Sequence, residues 1–239
     1  MTEIGFRIFK DYPRADHSLV QRLSQIPVAN LDDVMGRIYS TDSGLQSVNH
    51  LPLAGAACTV KVPAGDNLVF HHALDLCRPG DIIAVDGAGY PERSLCGEQI
   101  YRYAMKKKIG GLIIDGAIRD VDALYHLDFP VYARSVCPNG PYKNGPGEVN
   151  VPVCIGGIVV FPGDLIVGDR DGLIIIRPKD APAVAEAAEQ LGKKEQKNFE
   201  MLKNSFPDKS WVMEKLIAQK CCFRDGTYPS SSNESGILR

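Results

Sequence analysis

Short apolar runs alternate with helical segments through the middle of the chain, and this alternation restricts the fold more than any other feature. Asp81 to Asp86 (DIIAVD), Leu112 to Asp115 (LIID) and Pro130 to Arg134 (PVYAR) read as strands. They are too short for ordinary helices and are bounded by glycine or proline. Between them, residues 97–109 place Ile100, Tyr103, Ala104 and, less regularly, Ile109 at helical spacing, and Asp120 to Leu127 reads as a shorter helix. Strand, helix, strand, helix, strand implies βαβ units around a partly parallel sheet, hence an α/β fold. Gly110-Gly111 is expected to close the 97–109 helix, as a glycine just past a helix end commonly does.

The flanking segments read less regularly. Leu19, Val20, Leu23 and Ile26 recur at helical spacing until Pro27 interrupts them, and Asn30 is then a candidate N-cap for Leu31 to Ile38. Residues 53–62 read as a strand, and Asn67 to Leu76 as a short helix stopped by Arg78-Pro79-Gly80. From residue 153 the pattern is β-rich. Val153 to Phe161, Leu165 to Val167 and Leu173 to Ile176 are separated by Pro162-Gly163-Asp164 and Asp171-Gly172, which predicts a β meander. After Pro178 the chain becomes rich in Ala, Glu and Lys. Helices are expected over 180–203 and 209–220, followed by a polar, Ser-rich, disordered end (PSSSNESGILR). The division is thus a core over 1–178 and a helical extension with its tail over 179–239.

Composition excludes several classes. A net charge of −2 offers no basic face to nucleic acid. The run Lys106-Lys107-Lys108 sits where a helix should end, a place that favours cations. Seven cysteines, an odd number with no Cys-x-x-Cys, argue against a disulfide framework or a zinc knuckle. A reducing compartment fits that usage. Met1 to Asp16 carries scattered charges rather than a signal peptide's apolar region, and no apolar run reaches the ~18 residues of a membrane span. A cytoplasmic protein with neither membrane nor nucleic-acid partner is expected.

Three segments bear on chemistry, one of them Asp81 to Gly89 (DIIAVDGAG). Gly97-Glu98-Gln99-Ile100 opens a helix, and Asp115-Gly116-Ala117-Ile118-Arg119-Asp120 runs from a strand end into the next helix. Amides at a helix start lack intrahelical partners and attract anions. If strands 81–86 and 112–115 are neighbours, both segments open onto one sheet edge, where ligands of open α/β sheets bind. Amides plus the Arg119 guanidinium suit a carboxylate, and Asp120 is then free to hold a hard cation such as Mg²⁺ or Mn²⁺. The same residues also make an ordinary turn at Gly97 and an ordinary helix start at Arg119-Asp120. Gly87-x-Gly89 carries Glu at position 92, so it is no dinucleotide fingerprint. His71-His72 point to different helix faces and suit supporting roles better than one shared metal.

The chain resembles the aldolase branch of the RraA-like family, the 4-hydroxy-4-methyl-2-oxoglutarate/4-carboxy-4-hydroxy-2-oxoadipate aldolases. The resemblance rests on PVANLDDVMGR (27–37), DNLVFHHAL (66–74), PGDIIAVDG (79–87), GEQI (97–100), GGLIIDGAIRD (110–120), FPVYAR (129–134) and the stretch 152–178. The family's signature is an acidic residue, twenty intervening residues, then Arg-Asp, met here by Glu98 and Arg119-Asp120. Aldolases of the family usually carry Asp at the first position, and Leu-Leu where this chain has Gln99-Ile100. The resemblance implies a swivelling β/β/α core with a C-terminal helical extension, and a homotrimer or homohexamer. It implies that the amides of Gly97, Glu98, Gln99 and Ile100 and the side chain of Arg119 bind the pyruvate portion of a 2-oxo acid. It makes Asp120 the direct ligand of a divalent metal, Mg²⁺ or Mn²⁺. Glu195 is the positional match for a glutamate that a neighbouring subunit contributes. The implied reaction is retro-aldol cleavage through a pyruvate enolate, with oxaloacetate decarboxylation through the same enolate. A water held by Glu98 or by the metal would take the hydroxyl proton. The same core also resembles RraA, a protein regulator of ribonuclease E. Those regulators stop soon after the position of Pro178, whereas this chain continues to Arg239. An older label on such sequences, S-adenosylmethionine-dependent methylation of demethylmenaquinone, lacks a glycine-rich loop for its cofactor here.

Overall fold

The structure, a computed structural model, describes residues 3–228. Its strands are β1 (Gln46–Ser47), β2 (Leu53–Lys61), β3 (Ile82–Cys96), β4 (Gly111–Ile118), β5 (Val131–Val136), β6 (Glu148–Val149), β7 (Val153–Ile155), β8 (Ile158–Val160), β9 (Leu165–Asp169) and β10 (Gly172–Ile176). Its helices are α1 (His17–Leu23), α2 (Val28–Val34), α3 (Leu68–Leu76), α4 (Glu98–Lys106), α5 (Val121–Leu124), α6 (Ala181–Leu202) and α7 (Ser210–Ala218). The main sheet runs β1-β5-β4-β3-β2-β9-β10, with β6 also on β2, and β7 and β8 form a separate hairpin. β2, β3, β4 and β5 pair in parallel. The crossovers between them carry α3, α4 and α5, so the expected βαβ units are present and the fold is mixed α/β.

The apolar runs in the central strands are continuous because both sheet faces are covered. In β3, Ile83 and Val85 pack with Phe70 and Leu74 of α3 and Ile100 and Tyr101 of α4. Ile82 and Ala84 point the other way, to a layer holding Val153, Ile155, Ile166 and Leu173. That is the two-residue period of a strand, with apolar side chains on both phases. A third cluster packs α1, α2 and the start of α6 onto Leu165, Val167, Ile174 and Ile176. The chain divides into two compact units, Met1–Lys193 and Lys194–Arg239. No helix among the described residues is long and apolar enough to cross a membrane.

Several boundaries differ from the sequence reading, each for a physical reason. Helix α2 begins at Val28 with Pro27 as N-cap, and Asn30 lies inside it. Pro27 gives no side-chain cap; the Asp169 carboxylate, at the end of β9, accepts the Val28 N–H at 2.9 Å instead. Strand β3 does not end at Gly87. It continues to Cys96 through register shifts against β4, with Ala88 and Gly89 at positive φ. Helix α4 ends at a left-handed Lys108 (φ 59°) rather than at Gly110, and the Ile109 N–H returns to the Ala104 carbonyl at 3.0 Å. Helix α5 has four residues. The stretch 153–161 is the β7–β8 hairpin, turned by Gly156 and Gly157 at positive φ, not one strand of a meander. The expected disorder of 229–239 lies outside the described residues.

The remote cap yields a test. Asp169→Ala should destabilise the protein by about 0.5–2 kcal/mol, the usual loss when a helix cap is removed. A urea midpoint equal to that of the wild type would show that α2 does not need it.

Candidate functional site

Because β3 and β4 are parallel neighbours, their carboxyl ends open on the same edge. Cys96 ends β3, Gly97 is the N-cap of α4, and Glu98 begins the helix. Ile118 ends β4, and Arg119 and Asp120 lead into α5, with Asp120 left-handed at φ 58° and ψ 39°. The Arg119 N–H donates to the Cys96 carbonyl at 3.0 Å. The Tyr101 hydroxyl donates to the Arg119 carbonyl at 2.7 Å. These two bonds stitch the arginine–aspartate peptide to the end of β3 and the first turn of α4. Burial raises the pKa of Tyr101 far above its ordinary value, so it remains the donor. Burial also pushes the Cys96 thiol up to about 12, which keeps it neutral and unreactive beneath the site.

The Glu98 N–H donates to Asp120 Oδ2 at 3.0 Å, and Arg119 Nε lies 3.7 Å from the same oxygen. Gly97 is required by close approach. A Cβ there would stand 2.3 Å from Asp120 Oδ2 and 3.0 Å from Arg119 Cγ. The Ile100 N–H returns to the Gly97 carbonyl at 2.9 Å. Of the four amides the sequence singled out, those of Glu98 and Ile100 thus have partners inside the chain, which leaves Gly97 and Gln99 as the candidate anion donors. Arg119 Nε is buried without a hydrogen-bond partner. A buried donor in that state carries an unrecovered desolvation cost, which a ligand acceptor would remove.

Gly97 to Ile100, Arg119 and Asp120 line one cleft of about 270 Å³. Asn67, His71, Pro141 and Lys143 line it as well. Sequence reasoning assigned His71 only a supporting role and missed the other three. Asn67 and His71 are four residues apart, so they share a helix face, and that spacing was the available signal. Asn67 is buried, donates Nδ2–H to the Leu95 carbonyl at 2.8 Å, and has its Oδ1 without a partner. Desolvation and the Lys143 ammonium lower the pKa of His71, which favours neutral imidazole near pH 7. Glu98 accepts from Arg102 at 2.7 Å through Oε1. Glu195 lies on α6 within the second compact unit.

Among the described residues, no group of three or more His, Cys, Asp or Glu side chains is placed to hold a metal. Two carboxylates line the cleft, Asp120 and Glu98; Glu98 Oε1 is engaged by Arg102, which leaves Asp120 as the candidate cation ligand. A lone oxygen donor fits a hard ion that takes its other ligands from water and a chelating substrate. It does not fit zinc held in a cage of Cys or His.

A parallel α/β core thus carries an amide turn, an arginine and an aspartate together on one strand edge. The chain belongs to the RraA-like family, Aldolase/RraA, whose family model matches residues 28–175. A protein of Halalkalibacterium halodurans that carries the provisional name 4-hydroxy-4-methyl-2-oxoglutarate aldolase is 34% identical over 209 residues, covering 85% of this chain and 98% of that one. An uncharacterized protein from Pseudomonas syringae has the same fold, with a TM-score of 0.73 at 23% identity over 82% of this chain and 97% of that one. RraAS2 of Streptomyces coelicolor, described as an unusual member of the RNase ES inhibitor RraA family, gives a TM-score of 0.70 at 25% identity over 78% and 98%.

The cleft electrostatics can be checked directly. In Lys143→Met the His71 titration midpoint, followed by NMR of its ring protons, should rise. It should stay below the ordinary 6.5, because desolvation, the larger cause, persists. An unmoved midpoint would show that the ammonium does not act on this ring.

Proposed function

We propose that the protein is a divalent-metal-dependent lyase that cleaves 4-hydroxy-2-oxo diacids of the 4-hydroxy-4-methyl-2-oxoglutarate type to release pyruvate, and that it also decarboxylates oxaloacetate. The observation that carries this reading is the partnerless Arg119 Nε in the same small cleft as the Gly97–Ile100 turn and the Asp120 carboxylate. The names of relatives such as the Halalkalibacterium halodurans protein support the lyase class.

Asp120 would hold Mg²⁺ or Mn²⁺, which when bound supplies Lewis-acid polarisation of the 2-oxo acid. The chain's own groups do the remainder. The Gly97 and Gln99 amides and the Arg119 guanidinium bind the carboxylate and orient the keto oxygen. As the bond beyond C3 breaks, its electron pair passes into the enolate of pyruvate. Arg119 then strengthens its interaction with the growing negative charge. The hydroxyl proton of the substrate leaves to a water held by Glu98, whose Oε1 is fixed by Arg102, and a proton returned from that water to C3 of the enolate releases pyruvate. Replacing the hydroxyl-bearing carbon C4, with everything on it, by a carboxylate gives oxaloacetate, whose loss of carbon dioxide yields the same enolate. Glu195 of a neighbouring copy is the candidate to complete the site, in a trimer or hexamer.

The test is pyruvate release from 4-hydroxy-4-methyl-2-oxoglutarate and from oxaloacetate with Mg²⁺ or Mn²⁺, read through a coupled lactate dehydrogenase. The rate should exceed the metal-only control and vanish with a chelator. Arg119→Ala and Asp120→Ala should each lose about 10²-fold or more in kcat with an unchanged circular dichroism spectrum. Arg119→Lys should remain impaired, because an ammonium lacks the two-pronged donor. Gly97→Ala should fail in the same way, because its methyl group displaces the Asp120 carboxylate. A wild type that releases no pyruvate above the control, but lowers ribonuclease E activity, would favour the regulator reading, for which the likeness to RraAS2 speaks.

A further inference from the structure

We infer that Arg93 is a positioning residue, which clamps the 139–145 segment against the cleft and thereby sets where the Arg119 guanidinium stands. This rests on the reading that Arg119 acts on a 2-oxo acid in that cleft.

Arg93 lies on the far, bulged part of β3. Its Nη1 donates to the Gly140 carbonyl and, at 3.2 Å, to Asn139 Oδ1; its Nη2 donates to the Tyr142 hydroxyl at 3.2 Å. The guanidinium also lies over the Tyr142 ring, 4.0 Å from the centroid. Beside it, the Ser94 N–H and hydroxyl both donate to the Asn139 carbonyl, at 2.9 and 2.8 Å. The other end of the segment has its own anchor. The buried Asp66 accepts the N–H groups of Asn144 and Gly145 at 2.6 and 3.0 Å. In between, the Tyr142 N–H donates to the Gly65 carbonyl at 2.8 Å, and the Asn67 N–H donates to the Tyr142 carbonyl at 3.0 Å. Pro141 and Lys143, which line the cleft, sit between these anchors.

The segment touches the reacting end of the cleft at Gly140. A Cβ on Gly140 would stand 3.0 Å from Arg119 Nη1, and a Cβ on Gly97 would stand 3.2 Å from Arg119 Nε. The Arg119 side chain, 43% exposed, therefore passes close to two glycines, one on the amide turn and one on the clamped segment. Its Nε has no hydrogen bond, and its nearest carboxylate oxygen is 3.7 Å away. An arginine head held chiefly by packing is only as fixed as the walls beside it, and a long side chain regains much rotamer freedom when a wall gives way. Stabilising charge in a transition state needs donors already in place, and misplacement by about 1 Å can cost up to about 10²-fold. Arg93 reaches the reaction only through this wall.

The experiment compares wild type, Arg93→Ala and Gly140→Ala by steady-state pyruvate release from oxaloacetate with Mg²⁺, and by hydrogen exchange of the 139–145 amides. Arg93→Ala should exchange faster in that segment. Its kcat should fall about tenfold while KM stays within about threefold, since the lost precision acts on the transition state. Gly140→Ala leaves the clamp intact and pushes Arg119 directly. It should show the same fall in kcat with wild-type exchange. Arg93→Ala with faster exchange and wild-type kcat would overturn the inference, as would unchanged exchange, and the lyase reading would stand in either case. A wild type that releases no pyruvate overturns both.

Discussion

The site depends on the parallel pairing of β3 with β4. Parallel neighbours put equivalent chain ends at one edge, so two segments separated by a helix and a strand come within hydrogen-bonding distance. The pairing runs as far as Cys96 opposite Ile118. The next residue on one strand is then Gly97 and the next on the other is Arg119. Everything that follows elaborates this contact: the Arg119 amide on the Cys96 carbonyl, the Tyr101 hydroxyl on the Arg119 carbonyl, the Glu98 amide on Asp120. One of these bonds joins backbone to backbone, and the Tyr101 hydroxyl and the Asp120 carboxylate supply the other two.

Packing density then decides which residue types are admissible. The approach of Asp120 to the α4 start leaves no room for a side chain at position 97, although the extended backbone there would admit one. The left-handed backbone of Asp120 turns its carboxylate back onto the Glu98 amide. Local strain of this kind persists only where surrounding bonds fix it. The titratable groups beneath and beside the site are tuned toward neutrality. Cys96 and Tyr101 are held protonated by burial, and His71 is biased to its neutral form. The charged side chains on the 97–120 side of the cleft are those of Glu98, Arg119 and Asp120.

How much of this was legible in the sequence follows from the range of each interaction. The βαβ core was legible because β2, β3 and β4 are buried on both faces, and runs such as DIIAVD and LIID record that burial locally. The arginine–aspartate pair and the Gly97 turn fit an ordinary helix start and turn by spacing alone; they stood out through the likeness to the family signature, and their meeting followed once the two strands were taken as neighbours. What was not legible came from groups distant in sequence. The cap of α2 is supplied by Asp169, 141 positions away. The far half of β3 is kept extended by pairing with Gly116 to Ile118 and by bonds to Asn139, so Gly87 looked like an end. Lys143 reaches the cleft on a Pro- and Gly-rich stretch that carries no periodicity of its own.

The fold by itself does not discriminate between an enzyme and a regulator. RraAS2, described as a member of an inhibitor family, shares this architecture at a TM-score of 0.70, and a fold is a scaffold on which sites are grafted. Discrimination has to come from features that a binding scaffold would not maintain at a cost. A glycine forced by a carboxylate, an arginine nitrogen buried without a partner and a buried asparagine oxygen in the same condition are such features. The last two are unfavourable for folding alone, since a buried polar atom without a partner forfeits its hydration. Arg119 and Asn67 line the same cleft of about 270 Å³. Two other partnerless buried atoms, Asp32 Oδ1 and Thr41 Oγ1, lie at a second cleft beside β10, so such atoms mark candidate ligand positions without by themselves deciding between an enzyme and a regulator.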